Sequence, residues 1–167
     1  MIQTNSIHDA WLGRTAAVEY DNAIQYAGFL VLPEDGAQRK DILPGMVLKD
    51  LGNKKLALYD GKGTPFGLAA VFYAPGYGKG GINQLGESDE FTAIVGNTNT
   101  TVRIQKAALD PTASFALSED GTAVPVYANA NGQVASASQT NAIIGKLLEV
   151  AANGDIVIQL YAPKIDA

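Results

Sequence analysis

His8 is the only histidine in the sequence, and so the only side chain whose unperturbed pKa lies near neutrality. A Ser-His-Asp triad would have to be built around it, close to the amino terminus, and no Gly-x-Ser-x-Gly turn is present to hold a nucleophile. A metalloprotease helix takes two histidines at i and i+4, which one histidine cannot supply. With no cysteine there is no thiolate nucleophile, disulfide framework or Cys-containing zinc site. The stretch Gly76-Tyr-Gly-Lys-Gly-Gly81 has the glycines of a phosphate cradle. It lacks a Ser or Thr after Lys79, and its strand-like flanks give it no helix dipole. Glu87, Asp89 and Glu90 offer oxygens to calcium, but outside the alternating Asp-x-Asp-x-Asp-Gly register that wraps the ion, so a solvated acidic loop is expected. Paired carboxylates for glycoside hydrolysis stay open, because their separation is spatial. The expectation is a protein without catalytic residues, cofactor or metal.

The remaining composition narrows the class further. The 167 residues suit one domain or two small ones. Twelve basic against 17 acidic side chains give a net charge of -5, with the basic residues scattered. That argues against nucleic acid as a partner, since replacing phosphate counterions takes clustered Lys and Arg. The longest apolar run, Phe66 to Pro75, is broken by Gly67 and falls short of the roughly 18 residues a spanning helix needs. The first residues have neither the basic start nor the apolar stretch of a secretion signal, so no membrane is expected as partner or route.

Glycines and prolines punctuate short apolar runs throughout, which is the grammar of an all-β chain. Asp35-Gly36, Asp60-Gly61, Asp120-Gly121, Asn131-Gly132 and Asn153-Gly154 mark turns. Strands are predicted over Gly28 to Leu32, Met46 to Lys49, Lys55 to Tyr59, Phe66 to Tyr73, Phe91 to Val95, Thr101 to Gln105, Ser114 to Leu117 and Ala123 to Ala128. A last hairpin joins Ile143 to Val150 with Asp155 to Tyr161, placing Ile156, Ile158 and Leu160 on one face. Helical turns are confined to Asp9 to Ala17, Lys106 to Leu109 and Gln139 to Ala142. A faint internal echo relates Met46-Val-Leu48, a turn at Gly52-Asn53, Leu56-Ala57, Gly67 and Tyr73-Ala-Pro75 to Val124-Pro-Val126, a turn at Asn131-Gly132, Val134-Ala135, Gly145 and Tyr161-Ala-Pro163. The predicted fold is mainly β: a small barrel-like or sandwich-like body of hairpins with an extended amino-terminal arm. The arm covers residues 1–26 and the body 27–167, divisible into β-units at about 27–110 and 111–167.

With Gly28-Phe-Leu-Val-Leu32, Leu43-Pro-Gly-Met-Val-Leu48, Thr64-Pro-Phe-Gly-Leu68 and the closing Ala142 to Leu160 hairpin, the sequence resembles the head decoration, or capsid cement, proteins of tailed bacteriophages. The resemblance implies a structural virion protein on the exterior of an expanded capsid, made in the host cytoplasm. It would clamp neighbouring major capsid protein subunits against packaged DNA, as a homotrimer or a dimer. A different appendage component, such as a head fibre, tail or receptor-binding module, is the alternative, and a carboxylate-dependent hydrolase the more distant one. The arm then becomes the capsid-binding segment, with Ile2, Ile7, Trp11 and Leu12 as apolar anchors and Arg14 as a charged positioner. Phe72, Tyr73, Tyr77 and Ile82 are the candidate oligomer contacts, since 47% apolar residues in a chain with 17% charged ones leave apolar surface to cover. For Phe72 and Tyr73 the core and rim of a strand is an equal reading.

Overall fold

A computed structural model describes residues 18–31, 41–71, 73, 90–137 and 142–164. Half of the described residues lie in strands, and the helical part among them is one three-residue 3-10 turn, Lys106–Ala108. The strands are β1 (Val18–Asp21), β2 (Ile24–Leu30), β3 (Val47–Gly52), β4 (Lys55–Leu58), β5 (Pro65–Ala69), β6 (Glu90–Val95), β7 (Thr100–Ile104), β8 (Pro125–Ala128), β9 (Val134–Ala135), β10 (Ile143–Val150) and β11 (Ile156–Leu160). Strands β2-β4-β3-β5-β6 close into a barrel, and β1-β7-β11-β10-β8-β9 form a second sheet.

The two sheets repeat one plan. Leu48 faces Gly67 across β3 and β5, as Val126 faces Gly145 across β8 and β10. Lys49 and Asp50 pair with Ala57 and Leu56, as Tyr127 and Ala128 pair with Ala135 and Val134. The next strand continues the match, with Leu68 opposite Ile94 and Lys146 opposite Gln159. Beyond it, Ile24 opposite Val95 corresponds to Thr100 opposite Leu160. Strands β2 to β6 therefore correspond in order and register to β7 to β11. The barrel closes through the parallel pairing of Leu30 with Leu56, where the Val31 N–H donates to the Leu56 carbonyl at 2.8 Å. In the second sheet the 3-10 turn is inserted first, and the Leu109–Val134 bridge follows, with the Asp110 N–H donating to the Val134 carbonyl at 2.8 Å. The echo in the sequence marks the central part of this repeat.

One continuous core fills both units. Leu30, Leu48, Leu56, Leu68 and Phe91 are buried on the barrel side, and Val102, Ile104, Val126, Ile156 and Ile158 on the other. The last hairpin buries Ile156, Ile158 and Leu160 as the alternation predicts. The glycine of each described turn dipeptide has a positive φ, from 74° at Gly132 to 92° at Gly154, while Asp35-Gly36 lies outside the described residues.

Several boundaries differ from expectation. Strand β2 starts at Ile24, so residues 18–26 of the expected arm form β1 and the start of β2. Ser114 to Leu117 is not a strand: the Ser114 N–H donates to the Ser136 hydroxyl (3.1 Å), and among the described residues no strand pairs with it. The Phe66 to Tyr73 run ends as a strand at Ala69, after which Tyr73 forms an isolated bridge with Ile42. The turn expected at Lys106 to Leu109 is the 3-10 turn, whereas Asp9 to Ala17 and residues 139–141 lie outside the described residues.

Candidate interaction surface

Among the described residues, turns hold the carboxylates whose pKa is shifted. The Asp110 carboxyl lies below the usual range because the Thr112 hydroxyl (2.7 Å) and N–H (2.8 Å) both donate to it, with Asn129 adding a third donor. Ser118 and Thr122 lower the exposed Asp120 carboxyl to about 2. Burial pushes the Asp60 carboxyl up, but Lys49 at 2.8 Å and the Lys62 N–H outweigh it and the net shift is downward. A general acid needs the opposite shift, and a working pair needs its two pKa values pushed apart. Among the described residues no group of three or more acids or histidines gathers as a metal-ligand set. A cleft of about 750 Å³ between the 3-10 turn, residues 111–115 and the β10–β11 turn is lined mainly by apolar side chains, with Lys106 and Asp110 as its charged groups.

Asp155, in the β10–β11 turn, ties β11 to the end of the neighbouring β7. Its carboxylate accepts from the Lys106 N–H (3.1 Å), Asn153 Nδ2 (3.1 Å), Arg103 Nη2 (3.3 Å) and Arg103 Nε (3.4 Å). Burial raises its pKa, but these donors together carry it below the model-peptide value of 3.8. A carboxyl depressed in the folded state stabilises fully above its unfolded pKa, and that stability is lost as pH falls through the folded value. Asp155→Asn should therefore lower stability at pH 7 by about 2 kcal/mol, the scale of a hydrogen-bonded charge. It should also flatten the acid limb of Tm against pH. An unchanged acid limb in calorimetry would show that Asp155 is not the group responsible.

Several of the exposed large apolar side chains fall on three parts of the described surface. Ile24 (53% exposed), Phe29 (40%) and Tyr20 (37%) stand on β1 and β2. Ile143 and Tyr161 flank Pro65 and Phe66 where the second sheet meets the barrel. Leu148 and Val150 are exposed at the far end of β10. Position on the β1–β2 corner is fixed by Thr100, whose buried hydroxyl donates to the Asn22 carbonyl (2.8 Å) and accepts from the Asn97 N–H (2.8 Å). Tyr26 of β2 is held edge-on to Phe66 of β5, with ring centroids 5.0 Å apart.

Of the residues singled out from sequence, Ile2, Ile7, Trp11, Leu12, Arg14, Phe72, Tyr77 and Ile82 lie outside the described residues, as does His8. Tyr73 is described and is 2% exposed, so its side chain belongs to the core of its own chain. Of the exposed apolar residues on β2, Phe29 falls in the strand expected from Gly28, whereas Ile24 was missed because it lies in a stretch whose apolar residues show no sustained period. Their one signal is negative: no charged residue and no proline occurs from Asn22 to Leu32. Residues 9–167 match a family of proteins described as phage cement protein. No curated protein matches the chain.

Proposed function

Because the chain belongs to the phage cement protein family and has a structural role in association with the phage capsid, we propose that it binds the outside of the expanded capsid. There it clamps neighbouring major capsid subunits against the pressure of packaged DNA. Family membership over nearly the whole chain is the observation that carries this reading. The physical form supports it: a closed barrel and a second sheet share one core, and apolar side chains stand on exposed strands. Clamping of this kind is built from many modest contacts, and repetition over a capsid lattice turns them into avidity. The direct test adds the purified protein to shells that lack it. Binding to expanded shells, with a raised temperature of shell disruption, is expected; equal binding to unexpanded shells would overturn the reading.

The amino-terminal segment is the proposed capsid-contacting arm, with Ile2, Ile7, Trp11 and Leu12 as anchors and Arg14 as positioner. Each large apolar side chain buried is worth roughly 1.5–3 kcal/mol, so several offset the entropy lost when an arm becomes ordered. Self-association as a trimer or a dimer is part of the same proposal, with Phe72, Tyr77 and Ile82 as contacts to test. Since β1 begins at Val18, deletion of residues 1–17 removes the arm and spares the sheet. Shell binding should be lost while the solution mass per oligomer is kept. Unchanged binding would sink the role of the arm.

A further inference from the structure

The repeat makes one strand edge stand out. Strand β7 is covered on both sides: β11 pairs with one, and on the other β1 pairs antiparallel, from Val18 opposite Ile104 to Asp21 opposite Thr101. By the register of the repeat, the residues of β2 that correspond to Thr101–Ile104 are Gln25–Gly28. Strand β6 covers one side of them, whereas β4 pairs with β2 only at Phe29 and Leu30. The Phe29 N–H donates to Lys54 (2.7 Å) and the Val31 N–H to Leu56 (2.8 Å), so odd-numbered residues of β2 turn their main-chain groups toward the β4 side. Gln25 and Ala27 share that parity and are exposed, and among the described residues no strand pairs with them on that side.

Edge strands of monomers are usually protected by lysine, proline or a bulge. None of the residues from Asn22 to Val31 is charged or proline, and Ile24 and Phe29 are 53% and 40% exposed there. The two edges of the second sheet, β1 and β9, differ from this part of the barrel. Strand β1 carries Glu19 and Asp21, which would set like charges against each other in a self-pairing, and the short β9 is bridged by Leu109. We propose that the β2 edge from Gln25 to Gly28 pairs with the same edge of a second copy of this chain, antiparallel across a two-fold axis at Tyr26. Gln25 of each copy then faces Ala27 of the other, and the four residues exchange their outward N–H and C=O groups. A second copy is the occupant because an uncharged edge is complementary to itself, and an isologous contact needs that. The contact is distinct from the segment holding Phe72, Tyr77 and Ile82, and it selects a dimer over a trimer.

The test is the solution mass of the full chain by light scattering at micromolar concentration, for the natural sequence, Ala27→Lys and Ala27→Pro. Proline is tolerated where a strand N–H faces outward, and Ala27→Lys decides alone if the proline variant does not fold. The natural chain should have the mass of two copies. Ala27→Lys, which sets two ammonium groups beside the axis, should have the mass of one, with an unaltered far-ultraviolet circular dichroism spectrum. A mass unaffected by Ala27→Lys overturns the proposal, as does a natural chain that is a monomer. If that monomer loses shell binding on Ala27→Lys, the edge serves a strand of the capsid instead. The shell-binding reading is tested on its own, by the addition experiment with the natural chain.

Discussion

Gly145→Ala should lower stability by about 3 kcal/mol, the upper part of the usual range for overpacking, and Tm by roughly 10 °C. A Cβ at this position would stand 2.1 Å from the Gln159 carbonyl oxygen and 3.1 Å from its carbon. Both are main-chain atoms, so no rotamer change relieves the contact. Strand β11 cannot retreat either, because Gln159 is paired on its far side with Thr101 of β7. Gly67 occupies the same place in the barrel, with its added Cβ 2.5 Å from the Ile94 carbonyl oxygen, so Gly67→Ala should cost somewhat less. Gly121→Ala is the control: its φ of +78° is strained for alanine, but nothing lies within 4 Å of the added atom. Its cost should stay near the roughly 1–2 kcal/mol of a left-handed alanine. Urea unfolding of the three variants orders them. If Gly145→Ala costs no more than Gly121→Ala, close strand approach is not what holds glycine at this position.

That pair of glycines also shows how far the sequence could be read. The echo aligned Leu48 with Val126, Leu56 with Val134 and Gly67 with Gly145, and these alignments coincide with the pairing registers; its match of Tyr73 with Tyr161 does not, because Tyr73 lies before β6 and Tyr161 after β11, the counterpart of β6. The positions that coincide are legible because a buried strand crossing needs glycine and the flanking strands need apolar side chains facing in. The equivalence of β2 with β7 was not legible. Tyr26 corresponds to Val102 and Gly28 to Ile104, with no shared residue type, and the inserted turn Lys106–Ala108 breaks the spacing that follows. Strand β1 was hidden for a different reason: its four residues gain their place from β7, far away in the sequence. Tyr73 shows the limit on the side of function. An aromatic residue beside a glycine-rich loop reads equally as contact or core from sequence, and only its bridge to Ile42 places it in the core.

Asn129→Ala should cost about 2–3 kcal/mol, since one buried side chain there serves four hydrogen bonds and its removal strands their partners. Asn129 is 3% exposed. Its Oδ1 accepts from the Asn131 and Gln133 N–H groups, both at 2.9 Å, and its Nδ2 donates to Asp110 and to the Gln133 side chain, both at 3.1 Å. The amide thus shapes the β8–β9 turn and ties it to the segment after the 3-10 turn. The corresponding barrel position is Leu51, which is exposed, and that hairpin turns instead through three successive positive φ angles at Gly52, Asn53 and Lys54. Only the second unit therefore depends on the amide. Asn129→Asp separates its two roles, because it keeps both acceptor bonds but sets a carboxylate against Asp110. Like charge raises one pKa of such a pair above its unfolded value. The variant should then be least stable at neutral pH and recover as pH falls through the raised value. The natural chain should show the opposite slope on that limb, because the Asp110 and Asp155 carboxyls are both depressed in the fold. Calorimetry from neutral pH down to the carboxylate range reads both. Parallel curves for the two proteins would show that the Asn129–Asp110 contact does not set the stability of the turn.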